Sequence, residues 1–252
     1  MNDIDEAIDW RGETVSCDSC AHQDLLAAGK CRLKHACVHD RYARRIDRFL
    51  NWNQALANDY LAHPHFEVRA IAAKSADVFR LPALLNDPEE TVRWNAVLRL
   101  PYRYLLRLRD DPHREVRIRV AARLLPADLP AMIGDADYYV RLVVARRIET
   151  ALLPRMMDDS EAQVRVVLAQ RIGEVFLPRL AADRDPAVRL EAVRRLPLAL
   201  LGLLQDEPDW RVRYEIASRI DIGLLEPFID DPDPLVRDVT VRRREARKES
   251  VQ

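Results

Sequence analysis

The dipeptide Val-Arg stands at Val68-Arg69, Val92-Arg93, Val116-Arg117, Val140-Arg141, Val164-Arg165, Val188-Arg189, Val212-Arg213 and Val236-Arg237, each copy 24 residues after the last. No insertion or deletion interrupts the series. A fixed period of this length means stacked units, each unable to bury its apolar face alone and each covered by its neighbours. Regular α/β sandwiches and barrels are thereby set aside, and the chain is read as a solenoid over residues 63–252, eight repeats long.

With the Val called position zero, the rest of the repeat follows. Position −5 is acidic in seven repeats: Asp87, Asp111, Asp135, Asp159, Asp183, Glu207 and Asp231, with His63 in the first. Pro comes next at Pro64, Pro88, Pro112, Pro208 and Pro232. An acid followed by Pro reads as a helix start, the carboxylate capping free N–H groups and Pro suiting the first turn. Positions 0, +4, +5 and +8 are apolar in nearly every copy, for example Val116, Val120, Ala121 and Leu124. At about 100° per residue they share one arc of an α-helix. Position +5 is always Ala or Val, small enough for helices to approach closely.

An Arg recurs at +7 (Arg99, Arg123, Arg147, Arg171, Arg195, Arg219, Arg243), placed to suit the dipole at its own helix end. A break often marked by Pro leads to Leu at +13 in every repeat that reaches it: Leu81, Leu105, Leu129, Leu153, Leu177, Leu201 and Leu225. The stretch from there to the apolar residue at +16 is too short for a second full helix. Its Leu and Pro content fits a short helix of 3₁₀ type rather than a strand. The Arg at +1 lies inside the apolar arc. A ladder of half-buried guanidiniums bonded to acids or carbonyls of adjacent repeats is preferred there over a groove for a polyanion.

All four cysteines crowd into the head as Cys17, Cys20, Cys31 and Cys37, and none follows. A disulfide framework would staple a whole small fold, whereas four thiols in one short segment of a chain without a secretory signal indicate a metal site. That signal is missing from Met1-Asn2-Asp3-Ile4-Asp5-Glu6, which is acidic where a leader would be basic. Cys-x₂-Cys lets one turn offer two thiolates. The remaining spacings match neither a ferredoxin run nor a zinc ribbon. Seven Lys or Arg against two Asp between Lys30 and Arg48 suit either a [4Fe-4S] cluster or Zn, each of which leaves the thiolates' site negative. His22, His35 and His39 are read as surface residues or outer donors, not ligands. Residues 38–61, with Tyr42, Ile46, Phe49, Leu50, Leu56, Tyr60 and Leu61 at helical spacing, are read as a cap on the first repeat. The domain division expected is 1–40 for the four-cysteine head, 41–62 for capping helices and 63–252 for the repeats.

The repeat, with its Asp-Pro start, Val-Arg pair, small residue, Arg-Leu and following Leu, resembles the leucine-rich-repeat-variant family. The resemblance covers nearly the whole chain. It implies an all-α, right-handed superhelical solenoid of alternating α- and 3₁₀-helices with a small N-terminal cluster domain. It also implies that Cys17, Cys20, Cys31 and Cys37 hold a [4Fe-4S] cluster. Ser75 where the other repeats have Arg, and the missing Pro at Ala136, Ser160 and Arg184, are minor departures.

Function is less legible. Forty Lys or Arg balance 41 Asp or Glu, a net charge of −1 that predicts no global pull toward nucleic acid or membrane. The longest apolar run, Leu196 to Leu204, holds Pro197 and Gly202 and is too short to span a bilayer. Six glycines form no phosphate loop, no hydrolytic triad or His-Glu-x-x-His appears, and no residue is nominated as catalytic. The acidic pairs Asp110-Asp111, Asp158-Asp159 and Asp230-Asp231 fall at the repeat start, so a structural role outweighs a divalent-cation site. The expectation is a cytoplasmic, monomeric, non-enzymatic scaffold with a redox cluster and an unknown protein partner along the solenoid. A purely structural zinc or cluster site, and a nucleic-acid-binding solenoid using the Arg rows, are the alternatives; the charged end Arg242 to Glu249 is read as a solvated terminal cap in preference to a nucleic-acid tail.

Overall fold

The computed structural model describes residues 6–250, with side chains to 248; the Met1–Asp5 segment on which the leader argument rests lies outside them. The described chain is helical, with α-helices and 3₁₀ segments alternating and no strand beyond two isolated bridges, Ile8 to Thr14 and Arg32 to Ala36. No described helix is long and apolar enough to cross a membrane. The chain divides into two compact units at Leu124 and Leu125.

The first unit contains the head, a cap helix at Ala43–Trp52, a 3₁₀ segment at Gln54–Tyr60, and the repeat helices Phe66–Ala72, Glu90–Arg99 and Arg114–Arg123. Its N-terminal core joins Cys31, Ala36 and Val38 to Ile46, Phe49 and Leu50 of the cap helix and to Val68, Ile71 and Ala72 of the first repeat. The second unit carries the repeat helices Tyr138–Arg147, Ala162–Arg171, Pro186–Arg195, Trp210–Arg219 and Pro234–Ser250, joined by short 3₁₀ or α segments. In both units the Val at zero and the Leu at +13 are almost wholly buried. Each such side chain contributes about 1.5–3 kcal/mol of apolar transfer energy.

The helix start corrects the sequence reading. The α-helix begins three residues after the acid, at Glu90, Arg114 or Tyr138, with its N-cap at Glu89, His113 or Asp137. The acid and the Pro after it therefore lie in a turn before the helix. There a carboxylate oxygen accepts the N–H two residues on: Asp87 from Glu89 at 3.0 Å, Asp111 from His113 at 2.9 Å, Asp231 from Asp233 at 2.8 Å. In the first repeat His63 Nδ1 accepts the His65 N–H at 3.1 Å, so an imidazole nitrogen fills the place of the carboxylate.

The rest of each acid is turned toward the preceding repeat. Arg69 grips Asp87 through Nε and Nη2 at 2.7 and 2.8 Å, and Arg93 grips Asp111 at 2.8 and 2.9 Å. The second unit repeats the clasp at Arg141–Asp159, Arg165–Asp183, Arg189–Glu207 and Arg213–Asp231. The third guanidinium nitrogen binds the two carbonyls of the arginine's own turn, as Arg93 does with Asp87 and Pro88. Such two-pronged pairs bring direction as well as charge. The ladder of half-buried guanidiniums is therefore what the Arg at +1 builds.

The Arg at +7 also reaches beyond its own helix. Arg99 donates to the Ala73 and Ala76 carbonyls, Arg195 to those of Ala169 and Ile172 at 2.7 Å each, and Arg243 to Ala217 and Ile220. The cation caps the open carbonyls at the C-terminus of the preceding repeat helix, where four such groups lack intrahelical partners. Ser75 in the first repeat has no preceding repeat helix to serve.

These clasps make the stack acid-sensitive. Burial works to raise the Asp183 and Asp231 carboxyls, but the hydrogen bonds from Arg165 and Arg213 and from backbone N–H groups outweigh it and hold both below the usual 3.8. A carboxyl depressed in the folded chain contributes its full stabilisation above the unfolded value and loses it as pH falls through the folded one. The urea midpoint of the helical signal is therefore expected to stay level from pH 8 to 5 and to drop below about pH 4. A midpoint unchanged at pH 2.5 would show that the clasps add nothing.

Candidate metal centre

The head has little regular structure, so single hydrogen bonds set its course. Cys17 and Cys20 lie on one turn, closed by the Cys20 N–H on the Cys17 carbonyl at 3.3 Å. A five-residue helix, Gln23–Ala27, follows and ends at Gly29, whose φ of 70° is the left-handed conformation that a helix terminus favours. The chain then makes a tight hairpin, Arg32 facing Ala36 with Lys34 at its tip at φ 61°. Cys31 stands at the base of one arm and Cys37 just beyond the other. Behind Cys37, Asp40 forms a buried ion pair with Arg45 at 2.8 Å, and Arg45 also holds the Glu6 carbonyl at 2.9 Å. That pair ties the loop to the cap helix.

All four cysteines are free thiols; Cys31 and Cys37 are buried, Cys17 and Cys20 partly so. They share one electrostatic neighbourhood. Burial pushes the Cys37 thiol up to about 12, with Cys31, Asp40 and Cys20 adding to the shift and the His39 backbone N–H opposing it. Burial likewise raises Cys31, assisted by Cys20 and Cys17 and opposed by the Arg32 N–H. Among the described residues, no three His, Cys, Asp or Glu side chains converge closely enough to hold a single ion.

The donor set suits a thiolate-bound cluster. The Arg32 N–H closes the hairpin on the Ala36 carbonyl at 2.9 Å, while the His22 backbone N–H reaches Cys20 Sγ at 3.5 Å and the His39 N–H works against the rise of Cys37. Such bonds are among the levers by which proteins set the potential of iron–sulfur clusters. Two of the donors come from a pattern that sequence reasoning passed over, Cys-x-His, present as Cys20-Ala21-His22 and Cys37-Val38-His39. The two imidazoles stack at 6.0 Å, and His22 Nε2 is hydrogen-bonded to the Tyr60 hydroxyl from the cap. Burial lowers both histidines and raises Tyr60. His35 stands apart, held by Arg48 at 3.0 Å through its ring and 2.7 Å through its carbonyl.

Comparisons with known proteins agree with this geometry. Residues 7–59 match a family model described as the LRV protein FeS4 cluster. A solved structure described as a leucine-rich repeat variant with a novel repetitive protein structural motif is 39% identical, with a TM-score of 0.86 over 90% of this chain and 97% of that one. An uncharacterized 27.7 kDa protein of Rhodobacter capsulatus, in the nifB 3' region, is 52% identical over 96 residues. That alignment covers 38% of this chain and 39% of the relative's length.

Proposed function

The chain belongs to the leucine-rich-repeat-variant family, an iron–sulfur helical repeat protein, and on that premise we propose that it is a non-enzymatic scaffold whose head carries a redox-active [4Fe-4S] cluster. Cys17, Cys20, Cys31 and Cys37 supply the thiolates, and a protein partner binds along the repeats. The observation that carries the reading is the mutual influence of the four free thiols, Cys17 and Cys20 acting on Cys31 and Cys20 and Cys31 on Cys37, with the His22 N–H directed at Cys20 Sγ. When bound, the cluster supplies one-electron chemistry. The chain's own residues supply its anionic ligands, the N–H donors that stabilise added negative charge, and the buried surroundings of Cys31 and Cys37.

A protein partner fits better than nucleic acid because the Arg rows a polyanion would need are already engaged with carboxylates and carbonyls. A structural role for the site is favoured by one observation of its own: Cys31 packs in the same core as Val68 and Ile71 of the first repeat.

Anaerobic purification is expected to give a brown protein with a band near 400 nm and about four irons per chain, reversibly bleached by a reductant. One zinc and no colour would exclude the cluster. Iron present but never reducible would leave the structural role alone.

A further inference from the structure

The hairpin from Cys31 to Ala36 and one face of the cap helix make a single basic surface. Arg44, Arg48 and Trp52 succeed one another at four-residue spacing along the helix Ala43–Trp52 and so share a stripe. The hairpin leans on that stripe through His35, whose ring and carbonyl bind Arg48 and whose ring lies 5.7 Å from Trp52. Asn53, at the helix end, fixes the Lys30 carbonyl at 2.8 Å. Lys30, Arg32, Lys34 and Arg44 are all exposed, and none forms an ion pair among the described residues. Of the carboxylates bordering the surface, Asp47 is neutralised by Lys74 at 2.8 Å, Glu67 lines a hollow with Arg44 and Lys74, and Asp24 lines a shallow pocket with Lys30 and Trp52. Trp52 is 42% exposed, a large apolar ring left in water amid cations.

Lys30 and Arg32 flank the candidate cluster ligand Cys31, and Lys34 stands at the tip of the same hairpin. The hairpin is closed by the Arg32 N–H on the Ala36 carbonyl at 2.9 Å, with Cys31 at its base.

We propose that this surface docks an acidic one-electron carrier protein, with Trp52 as its apolar centre and the cations as its rim. The proposal rests on the redox reading of the head. One electron leaves the reduced carrier and is taken up at the cluster beside Cys31; no bond or proton changes hands. Complementary charge mainly speeds and orients such encounters, and its effect fades as salt screens it.

The test uses the anaerobically prepared full chain and a reduced plant-type [2Fe-2S] ferredoxin as the acidic carrier, mixed in a stopped-flow instrument. The second-order rate constant is expected to fall about tenfold between low and moderate salt, and about tenfold at low salt in the double variant Lys34→Glu, Arg44→Glu. Arg103→Glu, a charge reversal on an exposed arginine elsewhere in the unit, leaves it unchanged. Mediated redox titration of each variant reads the cluster independently. Reversible reduction with a rate indifferent to salt and to the double variant would overturn the docking surface and leave the redox reading standing. Absence of reversible reduction under mediators would overturn both.

Discussion

Replacing Asp111 with Ala is expected to cost about 3–5 kcal/mol of stability, far more than an ordinary surface substitution. The Arg93 and Asp111 side chains are only 9% and 2% exposed, so the substitution leaves a guanidinium buried without its counter-charge. It also takes the acceptor from the His113 N–H. Asp111→Asn keeps that acceptor and removes only the charge, so it separates the two losses. The double variant Arg93→Met, Asp111→Asn is expected to lose much less than the sum of the single changes, because no uncompensated charge remains. Urea unfolding followed by far-UV circular dichroism reads the wild type and the four variants, Arg93→Met alone among them. A loss below about 1 kcal/mol for Asp111→Ala would mean that water screens the pair as it screens exposed ion pairs.

The second large effect is expected at the head. Cys37→Ala should abolish the band near 400 nm and loosen the cap, exposing backbone amides of the helix Ala43–Trp52 to hydrogen exchange. The reason lies in how little else holds this segment. It has one five-residue helix and two isolated bridges before the cap, and a segment so short gains much of its folding free energy from the bound metal. Ser19→Ala, on an exposed residue of the Cys17–Cys20 turn, should change neither colour nor exchange. The repeat helices of the second unit, such as Trp210–Arg219, should exchange as before. Full iron retained in Cys37→Ala would remove that residue from the ligand set.

The invariance of the 24-residue period acquires a physical cause from the two arginines. A repeat inside the second unit reaches forward with the Arg at +1 to the next acid, as Arg165 does with Asp183. It reaches back with the Arg at +7 to the previous helix end, as Arg195 does with Ala169 and Ile172. An inserted residue between those points would shift both sets of partners at once. Stability in such stacks is largely a sum over neighbouring repeats, so one misplaced rung weakens two interfaces.

Much of this protein was legible in its sequence because repetition turns a tertiary rule into a visible one. A Val buried at every copy, a Leu at +13 and a small residue at +5 declare helical units, their length and their packing face, since each occupies the same environment seven or eight times. Four cysteines in one short segment declared a thiolate site for the same kind of reason: few other structures use that many thiols so close together. The partner of each arginine was not legible, because the acid that receives it is 18 residues away, and nothing local separates a capping carboxylate from a clasped one. Asp87 looked like a helix cap because Asp-Pro serves that role in isolated helices; only the stack decides that its free oxygens belong to Arg69. The same holds in the head, where Cys20 and Cys37 were evident as candidate ligands. The aim of the His22 N–H at Cys20 and the approach of Tyr60 to His22 depend on how the cap folds back over the cysteines. Composition and period set which groups are present and how often, while the direction of each hydrogen bond was settled by packing.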